Sequence, residues 1–157
     1  MIRYMKKTIL LFKIITIYFL LTSNGLAAKN KYFDKGKDLF KKKDFENSKI
    51  FFERDLVFNP KNENSYLYLA KIFNKDENDE EEEIKLNNVL LLNPQNDEAL
   101  YMLIVLKIKQ SNYDEAKNLM EKFNLVCKEF CVKNSEIKEK FNKLIPTNEK
   151  KENWKNR

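Results

Sequence analysis

Histidine is absent from the 157 residues. Without it there is no Ser-His-Asp or Cys-His catalysis, no HExxH zinc site and no imidazole switch. The glycines number only two, Gly25 and Gly36, so neither a phosphate-cradling P-loop nor a GxGxxG dinucleotide turn can be built. Familiar nucleotide chemistry falls with them. Three prolines and two cysteines complete the scarce residues, and a chain this poor in Gly and Pro favours helix. What is abundant is charge, at 34%, and apolar side chains, at 43% with 13% aromatic. That is the composition of one water-facing globular domain with ample material for a core.

The first 28 residues differ in kind from the rest. Arg3, Lys6, Lys7 and Lys13 precede an uncharged apolar run, Ile14 to Leu21, which is followed by the small residues around Ala27 and Ala28. This is the order of a secretory signal peptide, with cleavage expected near Ala28. The alternative is an uncleaved anchor from Thr8 to Ala28 with Lys13 snorkelling to the cytoplasmic side. The charge leaves a run well short of the roughly 20 apolar residues a span needs, which favours cleavage. The expected location is outside the cytoplasm: periplasm or cell envelope in a bacterium, or anchored to the inner membrane if the segment stays.

Residues 29–157 carry 26 basic and 24 acidic side chains, a net of +2. The basicity of the chain therefore belongs mostly to its targeting segment, and a nucleic-acid partner is not expected. The remaining charge is uneven, with +3 over residues 29–60, −6 over 61–104 and +5 over 105–157. Most of the acid in 61–104 lies in one run, Asp76 to Glu83, suited to the positive end of a helix dipole.

Asn59-Pro60-Lys61-Asn62 and Asn93-Pro94-Gln95-Asn96 are the same turn, 34 residues apart. Aligning on that period gives three units, about 29–62, 63–96 and 97–130, each with two runs of helical apolar spacing around a short polar turn. With Tyr32, Gly36, Leu39, Phe45, Ser48, Phe52 and Pro60 in the first unit, the pattern resembles the tetratricopeptide repeat family. Tyr66, Leu69, Ala70, Phe73, Leu86 and Pro94 continue it in the second unit, and Leu100, Leu103, Tyr113, Ala116 and Met120 in the third. Four residues depart from the family pattern: Asp55 and Glu82 at small positions, Ile104 at the glycine-like one and Lys128 at the closing proline.

The periodicity also stands without the family. Tyr32, Leu39, Phe45 and Phe52 fall on one face of each helix, and each large side chain buried there contributes roughly 1.5–3 kcal/mol. A single helix pair cannot cover that face, whereas stacked pairs can, leaving one end to be capped. Asn134 or Ser135 can serve as the N-cap of a capping helix from Glu136 to Ile145, with Ile137, Phe141 and Leu144 at i, i+4 and i+7. The expected architecture is all-α: a short right-handed α-solenoid of three helix-turn-helix units plus a C-terminal capping helix over 29–145. Residues 146–157 read as a flexible tail, with Trp154 its only large apolar group.

Cys127 and Cys131 enclose three residues at the end of a helical run. Two thiols without histidine are too few for a closed zinc site, and a helix C-terminus disfavours a thiolate nucleophile. In an exported protein a disulfide between them is favoured over two packed thiols, since one helical turn sets α-carbons about 6 Å apart. No catalytic residue, metal or cofactor is expected, and a thiol-dependent redox protein is the remote alternative.

The family resemblance implies a binding scaffold that holds a peptide or protein partner in the concave surface of its first helices. Helix geometry then assigns Phe33, Lys37 and Phe40, Leu67, Lys71 and Asn74, and Tyr101, Val105 and Ile108 to that groove. Family members that clamp a terminal carboxylate need a run of Lys, Asn and Arg, which Phe33, Tyr68, Glu98 and Met102 interrupt. The expectation is a mixed apolar and basic groove for a segment with large apolar anchors and an acid near Lys37 and Lys71.

Overall fold

The computed structural model describes residues 25–144, with side chains from Lys31 onward. The targeting or anchoring expectation for 1–28 and the tail at 146–157 therefore lie outside the described residues, apart from the backbone of 25–28. The described residues form helices and no strand. In order these are α1 (Gly25–Lys41), α2 (Phe45–Phe58), α3 (Glu63–Lys75), α4 (Asp79–Leu92), α5 (Asp97–Lys109), α6 (Tyr113–Val126), a 3-10 turn (Phe130–Lys133) and α7 (Asn134–Leu144). The chain divides at Pro60 into two compact units. The first holds the pair α1–α2, and the second holds α3–α4, α5–α6 and the capping segment.

Each boundary has a local cause. Asp44, Asn62, Asn78, Asn96 and Asn112 are N-caps whose side chains accept a backbone N–H from the first turn of the helix that follows. Such caps satisfy donors that the helix itself cannot. The turns inside the three pairs are the same object, repeated every 34 residues. Lys43, Glu77 and Ser111 take φ of 63°, 54° and 59°, the left-handed conformation that ends a helix. The next residue donates its N–H five residues back, Asp44 to Leu39, Asn78 to Phe73 and Asn112 to Lys107. One residue thus closes the first helix and caps the second.

In the first unit the helices touch at Gly36. A Cβ there would come within 2.8 Å of the Phe52 ring, and the Ser48 hydroxyl donates to the Gly36 carbonyl at 2.8 Å. Small residues at both positions let Phe52 be completely buried. Phe33 lies 5.8 Å from the Phe52 ring, and Phe40 meets Phe45 edge-on at 5.2 Å.

The second unit has two adjoining apolar clusters. Leu67, Ala70, Leu86, Val89, Ala99, Leu103 and Leu106 join α3, α4, α5 in one. Leu100, Ile104, Ile108, Ala116, Phe123 and Ile137 join α5, α6 and α7 in the other. The bulky Ile104 at the glycine-like position is accommodated as fully buried core. Glu82 at the small position is buried, and the Asn74 amide donates to both its oxygens at 3.1 and 3.0 Å. Burial pushes the Glu82 carboxyl up, against the Asn74 bond that pulls it down. The capping helix buries Ile137 and half-buries Phe141, but Leu144 is exposed rather than inward.

Candidate functional site

Within the second unit, α3 and α5 are the first helices of their pairs. Helical spacing puts Tyr68, Lys71 and Lys75 in one stripe on α3, and Glu98, Met102, Val105 and Lys109 in another on α5. The stripes lie side by side, since Lys71 Nζ pairs with Glu98 Oε1 at 2.8 Å. Lys71 also sits over the Tyr68 ring, 5.1 Å from its centre. Tyr68, Met102 and Val105 are half-buried around this pair. The face is apolar at its flanks with one partly solvated ion pair at its middle, and each partner of the pair keeps about a quarter of its side chain exposed (26% and 27%).

The structure distributes the nine groove residues expected from sequence among several roles. Leu67 and Ile108 belong to the core, 6% and 5% exposed, because α4 and α6 close over the sides of α3 and α5 from which they project. Phe33 and Phe40 contact rings of α2, and Lys37 stands over the Phe33 ring at 5.4 Å. Asn74 is held by Glu82. Tyr101 is covered by the capping segment. Lys71 and Val105 remain on the α3–α5 face. The additions are Tyr68, Glu98 and Met102, which sequence reading had counted only as interruptions of a carboxylate clamp.

A charge cluster joins α4, α5 and α6. Lys107 is buried and donates to Glu83 at 2.6 Å and Glu115 at 3.0 Å. Burial alone would lower its affinity for the proton, but the two carboxylates outweigh that and hold it above the ordinary lysine value. Gln110 donates to the second oxygen of Glu83, and Lys109 pairs with Asp79. The acidic run at Asp76 to Glu83 thus spans the turn that closes α3 and the first turn of α4, and two of its acids, Asp79 and Glu83, pair with lysines of α5.

The capping segment is fastened at three points. Cys127 and Cys131 form a disulfide with α-carbons 5.2 Å apart. Inside that ring, the backbone N–H groups of Lys128 and Phe130 donate to Asp97 Oδ2 at 2.7 and 3.0 Å. These bonds overcome the effect of burial and hold the Asp97 carboxyl low. The Phe130 ring lies 5.7 Å from Tyr101, whose hydroxyl donates to Glu136. Lys133 and Lys140 also donate to Glu136, and they bring its carboxyl down to about 2. Among the described residues no group of three or more His, Cys, Asp or Glu could hold a metal ion. None of the described helices is long and apolar enough to cross a membrane.

No protein-family model matches the chain, and neither does any curated protein. Solved structures do. The chain is similar to the TPR2B domain of yeast Sti1, solved as a complex with pHsp70, at 19% identity and a TM-score of 0.63, over 74% of this chain and 94% of that one. It is also similar to the C-terminal TPR-containing domain of a Plasmodium falciparum FK506-binding protein, at 20% identity and a TM-score of 0.61, over 83% of this chain and 93% of that one. With its capped helix pairs and turns that repeat every 34 residues, the chain has the all-α fold of tetratricopeptide-repeat domains.

Proposed function

We propose that the protein is an exported interaction scaffold that holds an extended or helical segment of a partner protein on the α3–α5 face. The observation that carries the reading is the pair of stripes around Lys71 and Glu98. Tyr68, Met102 and Val105 offer half-exposed apolar contacts, and a partner carboxylate can replace Glu98 at Lys71 as the site is desolvated. What supports binding is the make-up of the face, a tyrosine, a methionine and a valine around one ion pair. Tyr68→Ala combined with Met102→Ala should weaken binding of the partner recovered by crosslinking from the native host by about 1–3 kcal/mol, with helical content unchanged. Full affinity in that double variant would move the binding surface elsewhere.

A membrane-anchored form of the same scaffold is favoured by one further observation. Helix α1 begins at Gly25 and runs without a break through Ala27, Ala28 and Lys29. Cleavage near Ala28 would have to open the first turn of a repeat helix. Intact-mass analysis of the natively expressed protein separates the two forms, because only the anchored one retains Met1 to Ala27.

A further inference from the structure

The capping segment is lightly seated in the second unit. Its 3-10 turn buries no side chain, and α7 buries only Ile137. Much of its hold on α5 comes from the short arc 127–131, which the Cys127–Cys131 bridge closes. Two backbone N–H groups of that arc, those of Lys128 and Phe130, converge on Asp97 Oδ2 at the start of α5. The Phe130 ring then lies 5.7 Å from that of Tyr101, and Lys133 stands 6.0 Å from the centre of the same tyrosine ring. Tyr101 follows Glu98 by three residues and precedes Val105 by four, so it borders the stripe that α5 gives to the α3–α5 face. The cap keeps it covered.

We infer that the bridge is a releasable fastener: a dithiol reductant opens it at Cys131, the cap loosens from Asp97, and Tyr101 joins the α3–α5 face. The two sulfurs are not equivalent. Cys131 is exposed, whereas Cys127 is half-buried against the core that contains Phe123 and Ile137. A thiolate of the reductant therefore attacks Cys131 Sγ, forming a mixed disulfide there while the bond to Cys127 breaks. Cys127 leaves with the electron pair and takes up a proton, because the C-terminal end of α6, where it stands, disfavours a thiolate. The second thiol of the reductant then attacks the mixed disulfide, closes the reductant's own disulfide and releases Cys131 as a thiol. Two electrons have passed to the protein. With the arc open, residues 128–130 gain backbone freedom, and their N–H groups no longer reach Asp97 as a preformed pair. Phe130 leaves Tyr101 with them. Leu100, Ile104, Ala116 and Phe123 keep α5 and α6 packed through contacts that do not pass through the arc. In an oxidising compartment the closed form is the resting one.

The use of Tyr101 in binding rests on the α3–α5 reading, whereas the release does not, so the test uses the full chain without a partner and the two can fail separately. The protein is labelled with 3-fluorotyrosine, and the resonances of Tyr66, Tyr68 and Tyr101 are identified by Tyr→Phe replacement. Fluorine spectra and amide hydrogen exchange are recorded before and after dithiothreitol, and free thiols are counted by alkylation. The expected result is two thiols, unchanged helical content, and a Tyr101 resonance that moves toward the free amino acid while those of Tyr66 and Tyr68 stay. The amides of Lys128 and Phe130 should exchange several-fold faster, and Cys131→Ser should reproduce both changes without reductant. A bridge that resists dithiothreitol in the folded protein overturns the inference. So does an unmoved Tyr101 in both the reduced protein and Cys131→Ser, which would show that Asp97 and Ile137 hold the cap unaided. Movement of Tyr66 and Tyr68 together with Tyr101 overturns it as well, because the bridge would then staple the whole unit.

Discussion

Lys107 occupies, in the third unit, the place that Leu39 and Phe73 fill in the first two. The substitution was visible in the sequence, but its consequence was not, because the partners that make a buried lysine tolerable come from two other helices. Glu83 and Glu115 are themselves partly solvated, at 28% and 46% side-chain exposure. Removing the lysine lets them return to water, whereas removing both acids strands a buried charge. Glu83→Ala with Glu115→Ala should therefore destabilise by about 1–3 kcal/mol in chemical denaturation, and Lys107→Met should cost clearly less. The reverse order would mean that Lys107 acts through packing of its stem alone. The same limit explains the groove. Spacing put Leu67 and Ile108 on a first-helix face, but only the position of the neighbouring helices decides whether that face is lined or buried.

At the scale of the element, most boundaries were legible. The Asn-Pro turns fixed the starts of α3 and α5 at Glu63 and Asp97, and the acidic run marked the first turn of α4. The capping helix starts at Asn134, while its last expected contact, Leu144, is exposed because the helix leaves the core after Phe141. Less legible were the turns inside the pairs, since Lys43, Glu77 and Ser111 adopt left-handed backbone with no glycine to announce it. That conformation costs a residue with a side chain roughly 1–2 kcal/mol, part of which glycine returns through its own entropy. Glycine at each of the three positions should raise stability by about 0.5–1 kcal/mol, additively, in thermal or denaturant unfolding. Loss of stability at any of them would show a side-chain role for that residue.

The cap should also be sensitive to acid. Asp97 and Glu136 both have carboxyls held below their ordinary values of 3.8 and 4.5, Glu136 at about 2. A lowered carboxyl stabilises the fold above its unfolded value, and that contribution is lost as pH falls through the folded one. Between pH 4.5 and 2 the methyl resonances of Ile137 should move toward their unfolded positions before those of Leu86 and Val89. Simultaneous movement of all three would show that the cap and the core open as one.

At the scale of the molecule, the 34-residue period carried the fold class from sequence to structure. It could do so because a repeat specifies its own caps, turns and apolar face within a single unit. A binding face depends on what is left over when those faces are satisfied, and that remainder is a property of neighbouring helices. The remainder here is the α3–α5 face around Lys71 and Glu98, and the central claim is that a partner protein occupies it. A photo-crosslinking residue in place of Tyr68, expressed in the native host, tests that claim most directly, with the same residue at Lys117 as the comparison. A covalent adduct with one partner is expected at position 68 and none at 117. An adduct at 117 with none at 68 would contradict it.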